Sequence, residues 1–215
     1  MLMVLACAAV LAWSTLRATA AWDFFAAETI TENMHKARTF TPAGIEAARA
    51  RVDHALDRFP GRPDYLDLSG HLKELAAAQP GVVGAERREL LEGAAQDYRD
   101  ALATRPLWPY TWVNLLSARD KLGQADAEFN VALEKAAETG PWEPRVQLQL
   151  IRSGVRYWDE LKTPQRAVVR AKAADALRVQ PREVFEIARF YGRPDLVCGT
   201  DSGQPQIERW CQNVL

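Results

Sequence analysis

Residues 86–106 read ERRELLEGAAQDYRDALATRP, and their spacing decides the fold. Leu91, Ala94, Tyr98, Ala101 and Leu102 recur at three- and four-residue steps, with Glu89, Glu92, Asp97 and Asp100 on the other side. Such a stripe is an amphipathic helix, predicted here over 85–104 and stopped by Pro106. The surrounding sequence repeats the pattern. Ala, Leu, Arg and Glu dominate, and no stretch shows the β-branched alternation of a strand. Pro60, Pro63, Pro80, Pro109, Pro141, Pro144, Pro164 and Pro181 also fall between periodic segments, where the ring ends one helix or opens the next. The other predicted helices are 43–58, 64–78, 109–121, 124–138, 144–161, 165–178 and 182–191. The expected class is all-α.

The end of this stretch recurs along the chain. A small-apolar pair followed by three residues and a proline occurs as Ala55-Leu56…Pro60, Ala101-Leu102…Pro106, Ala136-Ala137…Pro141 and Ala176-Leu177…Pro181. The intervals of 46, 35 and 40 residues scatter around the ~34 of a tetratricopeptide repeat. That motif ends its second helix in the same way: a small residue admits a close neighbour and a proline breaks the helix. Trp112, Asn114, Leu115 and Gly123 resemble its first helix and inter-helix turn. Residues 23–197 therefore read as an irregular, tetratricopeptide-like helical-hairpin repeat array, with a general α-bundle as the alternative. In the helix at 144–161, Leu148, Ile151, Val155 and Trp158 form one apolar stripe. Val146, Leu150, Tyr157 and Leu161 form a second, as suits a helix packed between neighbours. Gln147, Gln149, Arg152, Arg156 and Asp159 are left for the polar face.

Ahead of the array lies an apolar segment, taken as residues 1–22. Nothing before Arg17 is charged. Ala18-Thr19-Ala20 fits the small-x-small pattern of a cleaved signal. Leu2–Trp22 equally fits an uncleaved anchor of the ~20 residues a bilayer needs, with Trp13, Trp22, Phe24 and Phe25 for the interfaces. At the other end, Cys198 and Cys211 bracket GTDSGQPQIERW, leaving Cys7 in the leader. If bonded, they close the tail 198–215 with a disulfide worth about 3 kcal/mol in the chain-entropy model and place the body in an oxidising compartment. The alternative is two separate buried thiols.

Residues 105–161 carry a more specific pattern. Arg105-Pro106-Leu107-Trp108-Pro109-Tyr110-Thr111-Trp112-Val113-Asn114-Leu115 is followed by Asp126-Ala127-Glu128-Phe129, by Gly140-Pro141-Trp142-Glu143-Pro144, by Val146-Gln147-Leu148-Gln149, and by Trp158-Asp159-Glu160-Leu161. In these blocks the chain resembles the VpsP-like family of exopolysaccharide-biosynthesis accessory proteins. The resemblance implies a bacterial cell-envelope location, with a periplasmic domain anchored in or secreted across the inner membrane. It also implies a non-catalytic role in polysaccharide polymerisation or export, with membrane components of an assembly machine as partners.

Those blocks also have a physical reading. Trp108, Tyr110 and Trp112 crowd one helix entrance and Trp142 another, and prolines stiffen both. In a repeat array successive helix starts share an edge, so the two corners are expected to be neighbours. Rigid aromatic rings suit a protein interface or the faces of sugars, with Asn114 and Arg145 as polar neighbours. The competing reading is that the rings simply pack into the core. The basic series Arg166, Arg170, Lys172, Arg178 and Arg182 suits a solvated face, an acidic glycan or lipid headgroups.

Other chemistry finds little support. Net charge is −1, from 27 basic and 28 acidic residues, and without a Lys/Arg cluster this balance gives no pull toward nucleic acid. His35, His54 and His71 form no helical pair, so no metal is expected. There is no G-x-S-x-G elbow, phosphate-binding glycine loop, H-E-x-x-H or C-x-x-C. Asp126/Glu128 and Asp159/Glu160 read as solvated or ion-paired. The expectation is a non-enzymatic scaffold without cofactor. A glycan-binding module is the alternative, and an all-α enzyme acting on the polymer ranks third.

Overall fold

The computed structural model describes residues 2–198 and 205–212, and among them every regular element is helical. The helices are α1 (Leu2–Ala37), α2 (Pro42–Arg58), α3 (Pro63–Ala77), α4 (Gly84–Thr104), α5 (Pro109–Leu122), α6 (Ala127–Thr139), α7 (Pro144–Arg156), α8 (Thr163–Leu177), α9 (Pro181–Phe190) and α10 (Pro205–Gln212). A 3₁₀ turn, Pro194–Leu196, follows α9. Proline occupies the first turn of α2, α3, α5, α7, α8 and α9, where its missing N–H costs nothing. Among the described residues two starts carry side-chain caps: Thr41 Oγ1 accepts from the Gly44 amide at 3.1 Å, and Asp126 Oδ1 from the Phe129 amide at 3.0 Å.

The recurrent small-residue-and-proline element closes α2, α4, α6 and α8 with one shared geometry. Ala55, Ala101, Ala136 and Ala176 are fully buried. The carbonyl of each accepts the backbone N–H four residues on, from Phe59, Arg105, Gly140 and Gln180, at 2.7–3.0 Å. The proline then follows and ends the ladder. These are the second helices of four successive hairpins.

Contacts divide the chain into two compact units, 1–106 and 107–215, a boundary inside the stretch read above as one body. In the first unit, α1 and α2 run antiparallel. Ala20, Ala27 and Met34, seven residues apart on α1, meet Ala55, then Ala48 and Val52, then Ile45 on α2, with Tyr65, Leu72 and Ala76 of α3 completing each layer. Alanine on both sides lets α1 and α2 approach closely. Between α3 and α4, Tyr98, fully buried, lays its ring against Gly70. Its hydroxyl donates to Glu74 Oε2 at 3.3 Å. Burial, then the Glu74 charge, pushes the Tyr98 hydroxyl well above its ordinary pKa. The predicted stripe Leu91, Ala94, Tyr98, Ala101 and Leu102 is buried throughout.

In the second unit α5 pairs with α6 and α7 with α8, while α5, α7 and α9 lie side by side and α6 lies beside α8. This is hairpin-repeat packing, with first helices stacked on first helices and second on second. Gly154 of α7 faces Val169 of α8 without a side chain between them. Gly123, at φ 75°, ends α5 in the left-handed conformation that a residue without Cβ adopts freely.

Several boundaries differ from expectation. No break occurs at residue 22: α1 continues to Ala37, because nothing from Asp23 to Ala37 interrupts a helix. Helix α6 begins at Ala127 rather than 124, since Asp126 is its cap. Helix α7 ends at Arg156, not 161, and Arg166 holds the following turn by donating to the carbonyls of Trp158 and Asp159 at 2.9 and 3.0 Å. Gln147, expected on the polar face, is buried and donates to the Pro141 carbonyl at 2.7 Å.

Candidate functional site: the tryptophan–proline corner

The two Trp-Pro entrances are neighbours within the second unit. Pro109, the first residue of α5, packs on Gly140, where an added Cβ would lie 2.5 Å from the Pro109 ring. Only a glycine permits that approach. The Tyr110 hydroxyl donates to Glu143 Oε2 at 2.6 Å and joins the entrance of α5 to that of α7. That bond, with a smaller contribution from burial, raises the Tyr110 pKa, and the charge of Arg145 partly opposes the rise. Tyr110 thus braces the corner as a neutral donor at neutral pH, and Arg145 stands close enough to feel it.

The exposed apolar surface comes from three residues around this brace. Trp108 is the residue before α5, 42% exposed, with its ring centroid 5.7 Å from that of Tyr110. Leu107 is 78% exposed and Trp142 75%. Lys172 of α8 sets its ammonium 5.5 Å from the Trp142 ring centroid and 3.4 Å from the Pro141 carbonyl, so a cation–π contact orients this ring. Trp112 and Asn114 are half-buried on α5 and contribute less surface. Leu107 was not among the expected site residues. Its position between Pro106 and Trp108, in a two-proline loop that cannot be helical, was the available signal.

Grooves of about 620, 450 and 500 Å³ occur on the two units, and none takes a lining residue from the corner. Of the carboxylates singled out earlier, Asp126 and Glu128 have structural partners, whereas Asp159 and Glu160 are exposed. Asp126 caps α6 and pairs with Arg119, which also meets Glu128 at 3.3 Å. Burial opposes the Asp126 charge, but the Phe129 amide and the Arg119 guanidinium outweigh it and lower the pKa. The basic series is largely engaged too. Arg166 and Arg170 lie over the buried Trp158 with Arg193, and Arg182 pairs with Glu186. Among the described residues no group of three His, Cys, Asp or Glu side chains is placed to hold a metal ion.

Cys198 and Cys211 form a disulfide, with Cα atoms 5.5 Å apart. It ties α10 to the second unit, where Ile207 is buried and Trp210 stacks on Phe185 at 4.7 Å. Bonds of this kind persist in oxidising compartments. Residues 199–204 of the bridged loop lie outside the described residues. At the other end, α1 is long and apolar enough to cross a membrane by length and composition. No known protein family, curated protein or solved structure matches the chain.

Proposed function

We propose that this chain is a membrane-anchored, non-catalytic scaffold of the bacterial envelope, supporting exopolysaccharide biosynthesis or export by docking a membrane component of the assembly machine. The exposed corner of Leu107, Trp108 and Trp142 carries the reading. Its rings are pre-oriented by two prolines, by the Tyr110–Glu143 hydrogen bond and by Lys172, so binding there orders little that is not already ordered. Rigid aromatic surface is what a protein partner buries with most gain. Polysaccharide as the process rests on the resemblance in residues 105–161.

Anchorage is supported by the continuity of α1. Ala20, at the end of the cleavage-like Ala18-Thr19-Ala20, is fully buried against Ala55 and Tyr65. Trp13 meets Phe59 edge to face at 5.4 Å. Cleavage there would remove packing from the first unit, so the mature protein is expected to retain Met3–Ala20 on intact-mass measurement.

Photo-crosslinking in cells tests the docking surface. A crosslinking residue at Leu107 or Trp142 should yield discrete protein adducts, and one at the exposed Arg88 should not. Adducts that smear and collapse on glycosidase treatment would replace the scaffold with a glycan-binding module. No adduct at either site would remove the corner from the function.

A further inference from the structure

A second surface, on the first unit, has a chemistry of its own. Between α1 and α2 lies a groove of about 500 Å³, lined by Thr15, Thr19 and Trp22 on one side and Arg51, His54 and Arg58 on the other. We propose that it holds the phosphate of an anionic phospholipid from the bilayer that α1 enters, an assignment that rests on the anchored reading above.

The charge is arranged for an anion. Asp23 is the one carboxylate in the groove, and it is buried. Its two oxygens accept from Arg51 Nη1 at 2.8 Å and Arg58 Nη1 at 3.0 Å. Arg58 Nη1 also reaches the His54 carbonyl at 2.6 Å. One nitrogen of each guanidinium is therefore spent on holding the pair in place. Among the described residues, no hydrogen bond engages the other nitrogens of either. Two cations face one carboxylate, so the groove keeps a net positive charge, and both guanidinium side chains remain partly exposed. A phosphate fits a guanidinium edge through paired N–H···O contacts. The threonine hydroxyls do not compete for the ligand, since Thr15 donates to the Leu11 carbonyl at 2.8 Å and Thr19 to that of Leu16 at 3.0 Å.

A lipid is favoured over a soluble anion by where the groove opens. Leu11, Thr15, Ala18 and Trp22 follow one another at four-, three- and four-residue steps and share one face of α1. The groove side of α1 thus runs directly into the apolar segment, whose Leu11 and Val10 are exposed. Thr15 lies at the end of the uncharged run, two residues before Arg17. Trp13 and Trp22 are exposed on either side of that level, and headgroup depth is where amphipathic tryptophan rings gather. Arg17 adds a cation there, 5.5 Å from the Trp13 ring centroid and 5.7 Å from that of Phe59. Phosphate against Arg51 and Arg58, with acyl chains along Leu11, matches a phospholipid lying parallel to α1.

The test is native mass spectrometry of the full chain, released from micelles doped with either phosphatidylglycerol or phosphatidylcholine. Phosphatidylglycerol should be retained preferentially. Arg51→Gln, which leaves the Arg58–Asp23 pair intact, should cut that retention about fivefold, the effect of one basic residue at an anionic surface. Arg88→Gln should leave it unchanged. Equal retention of the two lipids by the wild-type chain would overturn the proposal without reference to any variant. So would loss of bound phosphatidylglycerol on adding inorganic phosphate, which would mark a site for a free anion. Resistance to alkaline carbonate extraction is measured in parallel. A chain extracted by carbonate refutes the anchored reading and this proposal with it, whereas an embedded chain without lipid preference refutes the groove alone.

Discussion

Replacing Gly154 with alanine should destabilise the second unit, and the same change should stabilise it once Val169 is shortened. A Cβ on Gly154 would sit 2.3 Å from Val169 Cγ2 and 3.3 Å from Cγ1, far inside the ~3.5 Å at which carbon atoms rest. Val169 is fully buried, and a β-branched side chain in a helix has essentially one rotamer, so it cannot swing aside. Forcing a methyl into such a contact costs about 1–3 kcal/mol. Against this, alanine gains about 1 kcal/mol over glycine in a helix interior. The net loss is about 1 kcal/mol in the native background. In Val169→Ala the clashing Cγ2 is gone, so Gly154→Ala should show its propensity gain alone and partly refill the space. The two effects thus differ in sign, with a coupling of about 2 kcal/mol. Urea unfolding of the full chain in mild detergent, followed by tryptophan fluorescence, reads this unit, because five of the seven tryptophans lie beyond residue 106. An effect of the same sign and size in both backgrounds would show that the α7–α8 spacing is not set by Gly154 on Val169.

Three further expectations concern single groups. Asp126→Ala should cost about 1 kcal/mol through loss of the α6 cap. Because the folded pKa of Asp126 is lowered, the wild-type advantage should be full above the ordinary 3.8 and vanish as pH falls through the folded value, as acid titration of the pair by circular dichroism would show. Tyr98 behaves oppositely, since its folded pKa is raised above 10.0. Its stabilisation is present below 10.0 and lost as pH rises beyond it, so Tyr98→Phe should lose less stability than wild type as pH is raised past 10.0 in the same assay. Cys198→Ser should free α10 without unfolding α5–α9, detected as faster amide exchange confined to 205–212, and global unfolding would contradict that separation.

Most helix starts were legible because they depend on residues next to them. A proline in the first turn announces itself, as Pro63, Pro109, Pro144, Pro164 and Pro181 do. The repeated closure of α2, α4, α6 and α8 was legible for the same reason. What was missed depends on distant partners. The turn after α7 is held by Arg166, and Gln147 is buried by a bond to a carbonyl six residues back. The continuation of α1 past residue 22 was hidden by a cleavage-like tripeptide, although the seven-residue spacing of Ala20, Ala27 and Met34 was there to read. At the corner, the nearness of the α5 entrance to the α7 entrance could be inferred from the order of helices. The Tyr110–Glu143 bond could not, since it depends on the register of α5 against α7. The Asp23–Arg51–Arg58 group escaped because Asp23 lies just past the assumed end of the leader.

Helix α1 contains neither glycine nor proline from Leu2 to Ala37, and its second half is cemented into the first unit by the Ala20, Ala27 and Met34 layers. A stem of this kind has no joint. The unit built on it cannot swivel or nod while the apolar end stays still. A pull on α2, α3 or α4 is delivered as torque to residues 3–16, and a change in the tilt of residues 3–16 swings those helices by the same angle.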